Sequence, residues 1–201
     1  MNIKTYSVKF DADLALDAGE LLDDFSFPWL DRPCPRTEFQ AVWNEAALRF
    51  RFDVDDDDVV AFEGVDQDES VLGSDRVELF FATDRNLDQT YFGAEMDPRG
   101  WVYDYSARYY RQFDPSWTFT GLECRGEKRG DGYSVEGTIE LESLRSMNCL
   151  NGKAIIAGIY RGEFSHGVDG IVQDWISWVD PKTEKPDFHV PSSFGRFLLV
   201  D

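Results

Sequence analysis

Apolar and polar residues alternate with period two along most of this chain. Leu48, Phe50, Phe52 and Val54 alternate with Arg49, Arg51 and Asp53, the mark of a strand with one buried face. Val77, Leu79 and Phe81 alternate with Arg76 and Glu78 in the same way. So do Trp101, Tyr103, Tyr105 and Ala107 with Val102, Asp104, Ser106 and Arg108. Related patterns predict strands near 4–10, 38–43, 91–97, 117–126, 132–140, 154–164, 173–179 and 195–200. Turn-forming clusters at Asp97-Pro98-Arg99-Gly100, Arg129-Gly130-Asp131-Gly132 and Ser165-His166-Gly167 punctuate them. Helix signals are few: Glu140 to Met147, with Leu141 and Leu144 on one face, and the less regular stretch Leu14 to Leu22. Many short strands with one or two short helices predict an all-β fold, a two-sheet antiparallel β-sandwich of jelly-roll type. No composition break or fixed-period repeat divides the chain, so residues 1–201 read as a single domain.

Composition narrows the function classes. With 42% hydrophobic and 15% aromatic residues among 201, the chain can bury a sizeable core and does not read as disordered. Its net charge of −19 argues against nucleic acid, because phosphate binding needs clustered Lys and Arg. An anionic membrane surface is disfavoured on the same ground. A neutral ligand or a divalent cation is compatible with that charge, which selects neither. Cys34, Cys124 and Cys149 are odd in number, widely spaced and without C-x-x-C spacing, which favours free thiols over a disulfide framework. The segment from Met1 to Phe10 has no apolar run of signal-peptide length. No segment approaches the roughly 18 apolar residues of a membrane span. The expected compartment is therefore cytoplasmic ahead of secreted.

Catalytic signatures are scarce. Gly162-Glu163-Phe164-Ser165-His166-Gly167 has no Gly-x-Ser-x-Gly frame, and no H-E-x-x-H or paired His and Cys cluster offers a zinc site. The run Asp53-Val54-Asp55-Asp56-Asp57-Asp58 has the Asp-x-Asp-x-Asp spacing of a calcium loop. It departs from the EF-hand template, with Asp58 where Gly is needed and Gly64 where a bidentate Glu is needed. A solvated strand-end loop is the plainer reading of that run. Acid/base chemistry on a glycosidic bond needs two carboxyls about 5–10 Å apart. With 39 acidic residues such pairs cannot be singled out, though Glu78, Glu95, Glu136 and Glu163 stand within strand patterns.

The aromatic residues carry more information. Trp43, Trp101 and Trp117 fall in alternating strands, where core packing is their default role. Trp175 and Trp178 are three apart, so in an extended strand they face opposite sides. One of them then points away from the core. Phe188 and His189 follow Pro186 in a loop, where burial is harder to arrange. Large aromatics beside polar groups suit a sugar ring, whose C–H faces stack and whose hydroxyls take directional hydrogen bonds.

On three segments the chain resembles the family 9 carbohydrate-binding modules. The first is Leu48-Arg49-Phe50-Arg51-Phe52-Asp53-Val54-Asp55, leading to Ser74-Asp75-Arg76-Val77-Glu78-Leu79-Phe80-Phe81. The second is Gly132-Tyr133-Ser134-Val135-Glu136-Gly137-Thr138-Ile139. The third is Ile176-Ser177-Trp178-Val179-Asp180-Pro181, followed by Phe188-His189-Val190-Pro191-Ser192-Ser193-Phe194-Gly195. Together they cover most of the chain, from about Glu38 to Val200. The resemblance implies a non-catalytic β-sandwich that holds a sugar between two aromatic side chains. By position, Glu78 matches a Glu that bonds sugar hydroxyls, and Phe188 falls where one clamping Trp is expected. Leu72 replaces the other clamp, Gly93 stands near an expected Arg, and Tyr160 replaces a polar amide. The resemblance also implies that a structural calcium ion can be present, with no ligand set assigned and no other cofactor required.

These observations predict a mono- or oligosaccharide partner. The candidate contacts are Glu78, Glu95, Tyr160, Arg161, Trp175, Phe188 and His189. Two rivals stand beside that reading: a glycan-acting enzyme using Glu78 and a second carboxylate, and a protein-interaction domain that has lost its sugar site. The discriminating observation is whether Trp175, Phe188 and Glu78 converge on one open cleft.

Overall fold

The computed structural model describes residues 3–201. Its first strands are β1 (Thr5–Phe10), β2 (Thr37–Trp43) and β3 (Ala47–Asp55). The short helix α1 (Gln67–Leu72) leads into β4 (Arg76–Ala82), β5 (Thr90–Met96), β6 (Val102–Arg108) and β7 (Gln112–Asp114). Then come β8 (Leu122–Arg129), β9 (Gly132–Glu140) and the helix α2 (Leu141–Ser146). The strands β10 (Leu150–Asn151), β11 (Ala154–Gly167), β12 (Gly170–Ser177) and β13 (Gly195–Val200) complete the fold. No helix among the described residues is long and apolar enough to cross a membrane.

The fold is mostly β, but the expected pair of separate antiparallel sheets is not what forms. The strands follow one hydrogen-bonded path, β7-β6-β5-β4-β11-β13-β1-β2-β3-β9-β8, with β10 and β12 each paired to β11. The cause lies in β1. It inserts between β13 and β2 and runs parallel to both, pairing Tyr6 with Phe197 and Lys9 with Val42. Its amides and carbonyls thereby join two halves that would otherwise end in open edges. The result is one mixed sheet.

That sheet curls until its distant parts touch. The Cys124 thiol of β8 lies 3.3 Å from Met96 Sδ of β5. Gly100, at φ +83°, and Gly126 of β8 approach so closely that a Cβ on either would collide with the other's amide nitrogen. Curling encloses the main core. Phe39, Phe50 and Phe52 share it with Val77, Leu79 and Phe81 of β4 and with Ile155, Ala157 and Ile159 of β11. Phe39 is its hub, with ring centroids 4.9 Å from Phe52, 5.5 Å from Tyr6 and 5.7 Å from Phe197. Trp178 is buried there as well, while Trp175 takes the opposite face, as their spacing requires.

Strand β4 is buried at all seven positions. Its odd residues enter the main core. On the other face, Phe80 joins a second cluster with Tyr91, Tyr105, Tyr160, Phe188 and Phe194. That outer face is covered by the stretch from Pro186 to Phe194. There Phe188 stacks on Tyr160 at 4.2 Å, and His189 packs on Phe80 at 5.2 Å.

Several local expectations change. The stretch Leu14 to Leu22 forms only a three-residue 3-10 turn, Leu16–Ala18. The strand expected from residue 117 begins at Leu122, and β7 and β10 were not anticipated. Helix α1 was also missed, although Asp66 caps it by accepting from the Glu69 amide at 2.9 Å. Asp-x-x-Glu ahead of Val71 was a readable start signal. Trp101 is not core: it is 38% exposed beneath the Arg99 guanidinium, 4.1 Å from the ring centroid. The three cysteines are all free thiols.

Phe39→Ala is expected to lower the unfolding free energy in urea titrations by about 3–5 kcal/mol. A loss below about 1 kcal/mol would mean that the ring does not anchor a close-packed core.

Candidate functional site

A cleft of about 280 Å³ opens on the outer face of β4, β5 and β6. Strand register explains its floor. Glu78 of β4 lies opposite Glu95 of β5, which lies opposite Tyr103 of β6. One row along, Arg76 of β4 pairs with Gly162 of β11, which pairs with Trp175 of β12. Period two sends Arg76, Glu78, Glu95, Tyr103 and Trp175 to the same face. Leu72 from α1, Phe113 from β7 and the loop from Pro186 to His189 supply the walls.

The floor is a buried charge cluster. Arg76 Nε donates to Glu95 Oε2 at 2.6 Å and lies 3.2 Å from Glu78 Oε1. The three side chains are only 6%, 7% and 3% exposed, respectively. Tyr105 Oη donates to the other oxygen of Glu95 at 3.3 Å. The guanidinium also sits 5.2 Å from the Trp175 ring centroid, a cation–π distance.

One cation cannot neutralise two buried carboxylates. Burial, with Glu95 alongside, outweighs Arg76 and pushes Glu78 up to about 8. At neutral pH Glu78 therefore carries a proton and can donate as well as accept. Burial, assisted by Arg111, lowers His189 to about 3, so its ring is neutral, with Nδ1 3.1 Å from Tyr91 Oη. Arg111 pairs with Asp187 at 3.1 Å. The cleft thus combines an ion pair on its floor, another at its rim, neutral donors and acceptors, and aromatic walls. It is polar without a net charge.

Five of the expected contacts line this cleft: Glu78, Glu95, Trp175, Phe188 and His189. Phe188 does so as a nearly buried wall, because Tyr160 covers one of its faces. Two expected contacts lie elsewhere. Tyr160 sits beneath Phe188, fully buried, with its hydroxyl 2.8 Å from Ser193 Oγ. Arg161 is its strand neighbour and must point the opposite way. It is fully buried, donates to Thr37 Oγ1 at 3.1 Å and to the Asp55 carbonyl at 3.1 Å, and pairs with Asp56 and Glu163.

Sequence reasoning missed Arg76, Tyr103, Arg111, Phe113 and Asp187. Arg76 was legible in principle, since it stands two residues before Glu78 and so on its face. Gly93 is explained by Tyr105, whose ring occupies the space that any side chain there would need.

The chain matches the family described as carbohydrate family 9 binding domain-like over residues 28–201. It belongs to that family. A solved protein of Bacteroides uniformis, ascribed carbohydrate binding, is similar with TM-score 0.76 and 15% identity, covering 99% of this chain and 100% of that one. A family 9 carbohydrate-binding module of Caldicellulosiruptor kristjanssonii, solved with glucose, is similar with TM-score 0.64 and 16% identity, covering 98% and 96%. The same organism's module solved with cellotriose gives TM-score 0.65 and 16% identity, covering 98% and 93%. At these identities the likeness is one of fold. No curated protein matches the sequence.

A second polar cluster of this family member lies on the other side of β11. Ligand oxygens of Asp56, Asp75 and Glu163 fall within 4.8 Å of one another. The acidic run after β3 is accordingly not a simple solvated loop, since Asp56 turns inward. Asp75 accepts from the amides of Val60 at 2.6 Å and Phe164 at 2.7 Å. Each carboxylate oxygen has a second lone pair, so acceptor capacity remains. Arg161 is the guanidinium paired within the cluster. Burial, with Asp56 adding, pushes Asp75 up to about 8, and burial against the pull of Arg161 pushes Glu163 up to about 7. In donor type and spacing the set fits a hard cation.

Glu78 makes stability depend on pH. In the unfolded chain it ionises near 4.5, whereas in the fold it holds its proton to about 8. Between those values the fold binds the extra proton, so stability falls as pH rises across the window. Glu78→Gln should flatten the decline in melting temperature between pH 5 and 8 relative to wild type. Parallel profiles for the two proteins would contradict the buried, protonated Glu78.

Proposed function

We propose that this chain binds a neutral mono- or oligosaccharide in the β4–β6 cleft without transforming it. The observation that carries the proposal is the convergence of Trp175, Phe188, Glu78 and Glu95 on one open cleft, where Arg76 balances Glu95, Arg111 balances Asp187 and Glu78 holds its proton. A sugar has no charge to offer a guanidinium or carboxylate, but its hydroxyls suit groups that already have their ionic partners. Its C–H faces suit Trp175 and the tyrosine and phenylalanine walls. The volume, at the low end for small-molecule pockets, suits a sugar unit better than an enclosed long chain. Family membership supports the same class of ligand, and the related module solved with glucose and with cellotriose points to that scale.

In this reading Trp175 is the stacking plate, and Phe188 is a fixed wall. Glu78 donates to a hydroxyl while Glu95, held by Arg76 and Tyr105, accepts from one. Calorimetry against a panel of mono- and oligosaccharides tests the proposal. Trp175→Ala should weaken binding about tenfold, the equivalent of losing one good stacking contact of about 1.4 kcal/mol. Absence of heat from wild-type protein across the panel would end this reading. Phe188→Ala is a poor probe, because the ring also packs against Tyr160 and Trp29.

The rival hydrolytic reading draws on the raised Glu78 beside Glu95. Both carboxylates nonetheless share one guanidinium on the same floor, whereas hydrolysis needs them to flank a bond. Reducing-sugar release that disappears in Glu78→Gln would favour the enzyme.

We further propose that Asp56, Asp75 and Glu163 hold a structural calcium ion, tying the end of β3 to the start of β4 and to β11. Arg161 balances one of the three carboxyls, and a divalent cation would displace the protons that burial holds on Asp75 and Glu163. Saturating calcium at about a hundred times its Kd should then stabilise the fold by about 2.7 kcal/mol. The melting temperature should rise accordingly and fall back with EDTA. Asp56→Asn combined with Glu163→Gln should abolish that response, and equal melting in calcium and chelator would dismiss the ion.

A further inference from the structure

The hairpin between β6 and β7 carries two tyrosines that the cleft does not use. Tyr109 and Tyr110 are 49% and 50% exposed, at the tip of an element whose Arg111 and Phe113 line the cleft. Exposed tyrosines at a hairpin tip ordinarily keep their rotamer freedom. Tyr110 does not. Its hydroxyl donates to Asp187 Oδ2 at 2.8 Å. The other oxygen of Asp187 accepts from Arg111 Nη1 at 3.1 Å and from the His189 amide at 2.9 Å.

Asp187 therefore joins the hairpin to the loop that carries Phe188 and His189. The Tyr110 ring is held at one end by its backbone and at the other by its phenol. Tyr109 meets it edge to face, with centroids 5.5 Å apart and planes at 68°. The Arg111 guanidinium stands 5.9 Å from the Tyr110 centroid and 5.7 Å from that of Phe113. The carboxylate in this group is matched by the guanidinium, so the rim, like the floor, has no net charge to attract an ion. A half-exposed aromatic plate whose ordering entropy is already spent binds a flat apolar face with less loss than a mobile one.

From this we infer that Tyr110 forms a second carbohydrate subsite at the mouth of the cleft, taking the sugar unit next to the one bound inside. This inference rests on the cleft being a sugar site, and it deepens that reading by assigning a preference for oligosaccharides over single sugars. Leu72, 40% exposed in the cleft wall, offers no aromatic plate, so a longer ligand gains more from Tyr110 than from that wall.

The test is calorimetry of wild type and Tyr110→Ala with glucose, cellobiose and cellotriose, and with the matching xylose and mannose series. Wild type should gain about three- to tenfold in affinity from the monosaccharide to the trisaccharide of the series it binds. Tyr110→Ala should bind the monosaccharide within about twofold of wild type and lose that gain. An unchanged gain in the variant would overturn the subsite while leaving the cleft reading intact. A monosaccharide affinity that falls along with the rest would also overturn it, assigning Tyr110 to the positioning of Asp187 instead. Wild-type protein that binds no member of any series would remove the cleft reading, and the subsite with it.

Discussion

Arg76 carries a positive charge into a part of the molecule that little water reaches, and carboxylates from two adjacent strands surround it. Guanidinium, Glu78 and Glu95 are each almost wholly buried, yet they sit on the face of β4 and β5 opposite the main core. Removing one partner of such a buried pair typically costs about 3–5 kcal/mol, because the remaining charge is stranded. Much else follows from satisfying it. The register of β4 against β5 must place Glu78 beside Glu95, Tyr105 must lie over Gly93 to reach the second carboxylate, and Trp175 must offer its ring to the cation. A purely apolar surface there could have closed against the loop from Pro186 to Phe194. The charged floor instead leaves a cleft with hydrogen-bonding groups at its base.

The same cluster explains where the sequence was legible and where it was not. Alternation in Leu48–Val54 and Val77–Phe81 identified strands and the residues of the main core, because one face of each meets apolar neighbours. It predicts one buried face for β4, since Arg76 and Glu78 are polar, yet all seven positions are buried. Nothing local distinguishes a polar face in water from one roofed by a loop a hundred residues later. The error over Arg161 is of another kind: it stands next to Tyr160 in a strand, so period two alone separates their faces. The same period places Trp175 and Trp178 on opposite faces, as the fold does. The joining of two halves through β1 was hidden because parallel pairing between the first and last strands leaves no turn signature between them.

The cleft has a charged floor and mixed aromatic and aliphatic walls. Glu78 lies opposite Glu95 on the floor, and the Phe188 wall is backed by the Tyr160 ring. Leu72 gives the wall an aliphatic side chain, and Gly93 gives none. Tyr105 fills the space over Gly93 and reaches Glu95 itself. Aromatic area absent from α1 is present instead on β6 and the β6–β7 hairpin, in Tyr103, Tyr110 and Phe113.

The placement of β1 between β13 and β2 has a consequence in time as well as in space. Residues 5–10 cannot complete their pairing until residues 195–200 exist, because the strand that covers one side of β1 is β13, made long after it. Until then β1 and β11 both expose an edge that β13 will occupy. Such end-to-end pairing carries a high loop-closure entropy and belongs to the slow-folding class of topologies. The seam that makes the two halves one sheet is thus also the step at which a nascent chain is most open to pairing with a neighbour.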